Sequence, residues 1–146
     1  MAELFMEADL LRYLRENRLA TVSTLGPEGA PQSAYVGIGV TDDLRIVFDT
    51  VETSRKHANL LRYGRIAVTV GGPGEQTLQY EGRAALVATS GLEGEDVRQA
   101  YYLSWPDGRE RAANWPGLVY WCVGPTWARF TDYERGPLIQ HFFSSL

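Results

Sequence analysis

The sequence is poor in cysteine and histidine, and each shortage excludes a class of site. Cys122 is the only cysteine, so neither an internal disulfide nor a cysteine-rich metal site is possible. It lies in the apolar segment VYWCVG, where a buried, inert thiol is favoured over a nucleophile because no neighbour in sequence would lower its pKa. His57 and His141 are far apart and belong to no spaced set of ligands. We therefore expect no metal site.

Long apolar runs and basic runs are also missing. The N-terminal residues alternate acids, arginines and leucines, without the apolar block of a signal peptide, and no later stretch is long enough to span a bilayer. A net charge of -4 and a pI near 5.2 oppose nucleic acid as a main partner, because phosphate backbones attract basic surfaces. The sequence therefore predicts a cytoplasmic protein with no nucleic-acid or membrane partner.

What is present is the composition of an ordinary folded domain. Of the 146 residues, 45% are hydrophobic and 22% are charged, which are values typical of globular proteins rather than of disordered chains. The length suits one core. We expect a single domain over residues 1–146.

The spacing of apolar residues predicts an antiparallel α+β fold. Helical spacing in MEADLLRYLRENR predicts a first helix that ends near Asn17, and two strands joined by the turn GPEG follow, the second from Ala34 to Val40. The other predicted elements are the strands LRIVFDT, RIAVTV, QTLQYEGRAALVA, LVYWCV and TWARFTDY, the helices 55–63 and 92–103, and a loop or short helix in WPDGRERAANWPG. Gly124 and Pro125 are predicted to join the last two strands. Six or seven strands with flanking helices make an antiparallel barrel rather than a βαβ layout.

Glycines in two places deserve separate interpretations. Gly37 and Gly39 interrupt an apolar strand, which marks either a bulge in a curved sheet or a close approach of another group to the backbone, and the sequence leaves both open. GGPGEQ is not followed by a helix and lacks the lysine or third glycine of a nucleotide-binding loop. We expect a hairpin turn there.

Two cations stand where a helix start disfavours them. In TVETSRKHANLLRYG the predicted helix begins at Arg55 and Lys56, although free N–H groups and peptide dipoles already make that end positive. Lys56 is also the only lysine of the chain. Thr53 or Ser54 can cap the helix, and the N–H groups behind the cap would form an anion site that the cations complete. The alternative is a solvated basic face with Glu52 as counter-charge.

The preceding strand gives this helix start a context. That strand ends in Asp49 and Thr50 and is expected to pair with the glycine-bearing strand. A phosphorylated planar molecule would then place its phosphate on the helix start and its ring against Gly37 and Gly39.

The order of these motifs resembles the pyridoxamine 5'-phosphate oxidase-like family of FMN-binding split barrels. The likeness covers roughly Arg18 to Val87 and rests on LATVST…GAPQSAYVGIGV, IVFDT, T-x-x-x-S-R-K, NLLRYGRIAVTV and Q-Y-E-G-x-A. It implies a split β-barrel that forms a homodimer, with two FMN sites built at the subunit interface.

The resemblance also implies roles for particular residues. Residues matching Arg55 and Lys56 hold the FMN phosphate in the family, and the family glutamine of the strand that reaches the flavin falls two residues before Gln79, at Thr77. The implied cofactor-binding residues are Asp49, Thr50, Ser54, Arg55 and Lys56 near the phosphate and along the cofactor, and Tyr35, Val36, Gly37 and Gln79 near the isoalloxazine and ribityl chain.

The sequence also departs from the true oxidases. An arginine and a lysine that grip phosphates in those enzymes fall on Ala34 and Gly39, and the tail ERGPLIQHFFSSL lacks their arginine and histidine motif. We therefore do not expect oxidation of pyridoxamine phosphate.

A closer resemblance is to small split-barrel proteins that share WPDG, WPG and a final segment like PTWARFTDY. Trp127 and Arg129 are two residues apart, so they point the same way from one strand. They either cover a flavin edge or form a cation–π pair or core packing at the dimer interface.

Three classes of function remain open at this point. The first is a flavin oxidoreductase with a small-molecule redox substrate, using FMN or, as a variant, a deazaflavin. The second is a flavin-binding module without turnover, and the third is a dimeric structural protein without a cofactor. No catalytic residue is assigned, because the flavin itself supplies redox chemistry.

Overall fold

The computed structural model describes residues 4–143 and contains helices at both faces of one sheet. The helices are α1 (Glu7–Glu16), α2 (Arg55–Arg62), α3 (Glu95–Ser104) and α4 (Gly108–Asn114). The strands are β1 (Leu19–Leu25), β2 (Pro31–Gly37), β3 (Gly39–Val40), β4 (Ile46–Val51), β5 (Arg65–Gly71), β6 (Gln76–Val87), β7 (Leu118–Asp132) and β8 (Leu138–Phe142). None of the helices in this part of the chain has the length and apolar character needed to cross a membrane.

The strands form one antiparallel sheet in the order β2-β1-β5-β6-β7-β4-β3, with β8 also paired to β7. This confirms the predicted α+β class and split-barrel architecture. The described residues contain eight strands rather than six or seven. The predicted second strand breaks at Ile38 into β2 and β3, and β8 lies in a C-terminal segment for which no strand was predicted.

The predicted turn at Gly124 and Pro125 is wrong, because both residues lie inside the single long strand β7. Strand β6 runs antiparallel to β7 along its whole length, and the pairing shifts register between Glu81 and Gly82, opposite this segment. A bulge tolerates a proline that cannot donate to the ladder. The glycine and proline therefore bend the sheet instead of ending a strand.

Two apolar clusters hold the fold together. The larger lies inside the curved sheet and includes Leu10 and Leu14 from α1 and Tyr80 and Phe130 from β6 and β7, all fully buried. The smaller packs α3 onto the other side of β4 and β7 and includes Cys122. Burial raises the pKa of the Cys122 thiol, so the predicted buried and unreactive cysteine agrees with the structure.

The sheet also presents one row of outward side chains across six strands. In register order, the row consists of Tyr35, Thr21, Thr69, Gln79, Arg129 and His141. Neighbouring residues on each strand, such as Ala20, Val22, Val68 and Phe130, point into the core. This outer face is exposed or half-buried along its length.

Candidate anion and cofactor site

The start of α2 is built by the end of β4. Ser54 has an extended backbone and caps the helix, its Oγ accepting a hydrogen bond from the His57 N–H at 3.3 Å. Thr50 Oγ1 donates to the same Ser54 Oγ at 2.9 Å. Of the two predicted caps, Ser54 therefore takes this position, and Thr50 near the end of β4 holds it there.

Buried polar contacts fix α2 against the β1–β2 hairpin. Asn59 is 2% exposed and donates from Nδ2 to Thr24 Oγ1 at 2.9 Å and to Gln32 Oε1 at 2.8 Å. His57 Nδ1 accepts a hydrogen bond from Trp121 Nε1 at 3.1 Å. These contacts place the first turn of α2 beside the hairpin.

Between the hairpin and α2 lies a cleft of about 110 Å³, lined by Val22, Thr24, Gln32, Ser33, Ala34, Arg55 and Lys56. A whole-ligand pocket usually measures ~300–1,000 Å³, so the cleft matches one end of a larger ligand. Its position beside two cations and a helix N-terminus suits the phosphate end.

Neither cation is neutralised by the protein. Within residues 4–143, Arg55 and Lys56 make no hydrogen bond or ion pair. Burial lowers the pKa of the half-buried Lys56 ammonium, and the charge of Asp49 opposes that effect. An unpaired, partly desolvated ammonium is unfavourable, so an anion in the cleft would relieve it.

Asp49 lies on β4, the strand that leads into α2, and faces a second group of residues. Its Oδ2 is 3.2 Å from Arg111 Nη2, which also donates to the Tyr101 hydroxyl at 2.8 Å. Arg111 Nη1 donates to Asp107 at 2.7 Å. Burial, followed by the charge of Asp49, raises the pKa of Tyr101. Sequence reasoning missed Arg111, which is separated from Asp49 by 62 positions.

The two glycines of the β2–β3 segment are explained by the protein itself. A Cβ at Gly37 would meet the Trp105 ring at 2.7 Å, and one at Gly39 would meet Tyr101 Cα at 2.6 Å. Trp105 Nε1 also donates to the Ile38 carbonyl at 2.9 Å. Of the two open alternatives, close approach is therefore the one observed, and the groups that approach are Trp105 and α3.

The remaining predicted site residues lie elsewhere on the sheet. Val36 packs on the core from β2, whereas Tyr35, Gln79, Trp127 and Arg129 belong to the outer face. Within one chain, the structure thus gathers Asp49, Thr50, Ser54, Arg55 and Lys56 and keeps these four outer residues apart from them.

Trp127 and Arg129 point the same way, as predicted, but do not pair with each other. Among the described residues, Trp127 contacts the His141 ring at 6.1 Å between centroids, and the cation over a tryptophan is Arg18, 4.4 Å from Trp105. The buried Nε of Arg129 has no hydrogen-bond partner there.

A curled antiparallel sheet with capping helices and a cation-lined cleft at a helix start defines a split-barrel domain. The chain belongs to the pyridoxamine 5'-phosphate oxidase family, whose model matches residues 6–132. This confirms the resemblance drawn from the motifs. A comparison with curated proteins found no match.

Solved structures with the same fold differ in the ligands that they bind. A pyridoxamine 5'-phosphate oxidase-related, FMN-binding protein from Nostoc punctiforme is 13% identical with a TM-score of 0.67, covering 96% of this chain and 97% of its own. A heme-binding protein from Mycobacterium smegmatis is 16% identical with a TM-score of 0.78, covering 97% of this chain, which spans 59% of that protein. HutZ, a heme storage protein from Vibrio cholerae, is 13% identical with a TM-score of 0.68, and the match covers 86% of this chain and 91% of HutZ. At these identities the likeness shows the fold alone.

Proposed function

We propose that the protein binds FMN and uses it as an oxidoreductase acting on a small-molecule redox substrate. The observation that carries this proposal is the pair Arg55 and Lys56, which the described residues leave unpartnered in a cleft at the capped start of α2. Membership of the family and the FMN-binding relative from Nostoc punctiforme support the choice of ligand. The single cysteine suits a reducing compartment, so we propose that the protein acts in the cytoplasm.

The residues present fit a phosphate monoester. Arg55 and Lys56 would neutralise its charge, and free N–H groups behind the Ser54 cap would donate hydrogen bonds to its oxygens. Thr50 would keep Ser54 in place. When bound, the flavin supplies hydride or electron transfer, and the protein contributes binding and electrostatics.

The cleft also supports the expectation that pyridoxamine phosphate is not the substrate. Ala34, which aligns with an arginine of the true oxidases, lines the cleft and offers no third charge. Gly39, which aligns with their lysine, is buried against the backbone of α3 and leaves no room for a long side chain.

We also propose a homodimer that meets through the outer face of the sheet. Tyr35 is 70% exposed there, and Gln79 and His141 are exposed beside it. A second subunit would cover these side chains, and would bring Gln79, Trp127 and Arg129 toward the flavin of its partner. Sedimentation of the purified protein tests this point, and a monomer at micromolar concentration would contradict it.

The test of the cofactor is a fluorescence titration with FMN. We expect a dissociation constant at or below micromolar for the wild type and a loss of about 100-fold or more in the Arg55→Ala, Lys56→Ala double variant, since charge-assisted contacts are among the stronger hydrogen bonds. The control is Arg12→Ala, Arg109→Ala, which removes two exposed arginines outside the cleft. Equal affinities in all three proteins would refute the proposed site.

Parallel titrations separate the alternatives. Heme is included because two relatives bind or store it. Histidine is a common heme ligand. Of the two histidines, His57 is buried and its Nδ1 accepts a hydrogen bond from Trp121, whereas His141 is exposed on β8. Tight heme binding without FMN binding would overturn the flavin proposal, and preference for a deazaflavin over FMN would change the coenzyme. FMN binding without reduction by any nicotinamide donor would leave a flavin-binding module.

A further inference from the structure

The Asp49 carboxylate poses an electrostatic problem for the proposed phosphate site. It lies on the strand that leads into α2, one residue before Thr50, whose hydroxyl bonds to the cap. A carboxylate at this position would repel a phosphate bound at the helix start and would compete for the same cations. Its charge acts on Lys56, whose pKa burial lowers and Asp49 raises. An unpaired Asp49 would therefore hold Lys56 back from an anion.

Arg111 occupies the position that solves this problem. Its Nη2 lies 3.2 Å from Asp49 Oδ2, and the Asp49 side chain is 15% exposed and that of Arg111 27%. The partial burial makes the pair less screened than a surface ion pair. Asp49 is thus committed to Arg111 in this structure.

The rest of the α4 region fixes Arg111 in that position. Nη1 donates to Asp107 one helical turn earlier, and Nη2 donates to the buried Tyr101 hydroxyl. The guanidinium is thereby held by groups from α3, from α4 and from β4. These contacts restrain the Arg111 side chain, so it leaves Asp49 less readily than an exposed arginine would.

We propose that Arg111 is a positioning residue of the phosphate site, because its pairing with Asp49 leaves Lys56 free for the anion. The proposal rests on the proposed function of the cleft. It gives a reason why two cations can suffice where the true oxidases place a third charge at the position of Ala34. Arg111 acts here without touching the ligand.

The test compares FMN with riboflavin, which has the same ring and no phosphate. In Arg111→Gln we expect the dissociation constant for FMN to rise roughly three- to tenfold, the range of a partly buried ion pair. Riboflavin affinity is expected to stay unchanged. The ratio of the two affinities therefore reports on the phosphate alone.

Removing the carboxylate should cancel the effect. In the double variant Asp49→Asn, Arg111→Gln, no charge competes for Lys56, and we expect FMN affinity to return to that of Asp49→Asn. Arg111→Lys, which keeps the charge, should lose less affinity than Arg111→Gln. The matched control is Arg109→Gln, on the same helix, whose arginine contacts Gln99 and Tyr102 instead.

Three outcomes would overturn the proposal while FMN still binds to the wild type. One is an unchanged FMN affinity in Arg111→Gln. Another is an equal loss of affinity for FMN and riboflavin, which would indicate that Arg111 only stabilises the fold. A third is failure of the double variant Asp49→Asn, Arg111→Gln to regain the FMN affinity of Asp49→Asn, and this comparison also decides the matter if Arg111→Gln alone does not fold. If the wild type binds no FMN, the proposed function itself fails.

Discussion

The arginines of the α3–α4 region and the cations at the start of α2 differ in what the protein provides for them. Arg98 donates to three backbone carbonyls, Arg109 contacts Gln99, and Arg111 bridges two carboxylates and a tyrosine. Arg55 and Lys56 have no such partner within residues 4–143. The first group is explained by the fold.

This difference is the reason for placing the proposed ligand at the start of α2. The cations of α2 lie at a helix end that disfavours them by about 0.3–1 kcal/mol each. The α3–α4 region, in contrast, fills its own space, since Trp105 and Tyr101 lie where side chains of Gly37 and Gly39 would be. Unmet charge, rather than a glycine pair, is therefore the better guide to the site.

The largest effect is expected where α3 packs on Gly39. Gly39→Ala would bring a Cβ to 2.6 Å from Tyr101 Cα, and backbone cannot move aside as a flexible side chain can. We expect a loss of about 3 kcal/mol in the free energy of unfolding, measured by urea denaturation. Gly71→Ala is the control, because no atom lies within 4 Å of the added Cβ. Equal stability of the two variants would show that α3 does not pack on Gly39 as described.

A somewhat smaller effect is expected at Arg98. Arg98→Ala leaves the carbonyls of Ala88, Gly91 and Glu93 without this donor, which should lower the free energy of unfolding by about 2 kcal/mol. FMN affinity of the folded fraction should not change. A selective loss of FMN with unchanged stability would remove the distinction between the two regions.

Loss of the α2 cap should lower stability less than the two changes above, but it should affect both stability and FMN binding. Ser54→Ala removes the acceptor for the His57 N–H, at a cost of about 1 kcal/mol, and weakens FMN binding by disordering the first turn. The neighbouring Thr53→Ala is the control, since Thr53 is exposed and Ser54 takes the cap. Thermal melts and FMN titrations of both variants check this prediction.

The smallest effect at neutral pH is expected for Lys56→Arg, which keeps the charge. Burial lowers the pKa of Lys56 below 10.5, so the free protein loses this charge as pH rises toward that value. FMN affinity of the wild type should therefore fall at alkaline pH more steeply than that of Lys56→Arg, because arginine stays protonated. Any titration of the flavin affects both proteins equally. Identical pH profiles would contradict a role for the Lys56 charge.

Much of the fold could be predicted from sequence, because its signals are local. The first helix, which ends at Glu16 where an end near Asn17 was predicted, the hairpins and the helix beginning at Arg55 follow from periodicity and turn residues. The continuous strand β7 could not be predicted at Gly124 and Pro125, since the bulge that accommodates them depends on pairing with β6. Strand β8 likewise exists only through its pairing with β7.

The candidate site was predictable only in its local part. Cations at a helix start can be recognised in sequence, and so can the candidate caps, whereas the role of Thr50 was implied by the resemblance to the family. The partner of Asp49 could not be predicted, because Arg111 comes from a helix that only the tertiary fold brings to β4. The same holds for the contact between Trp105 and Gly37. The glycine indicates that some group lies close to the backbone, but the sequence around it does not show that the group is Trp105.

Phosphorus NMR of FMN bound to the protein tests the central claim most directly, because it observes the phosphate itself. The second pKa of a phosphate monoester is about 6. Two adjacent cations favour the dianion, so we predict that the bound phosphate titrates below the pKa of free FMN, and that this difference disappears in the Arg55→Ala, Lys56→Ala variant. A bound phosphate that titrates like free FMN in the wild type would contradict the account.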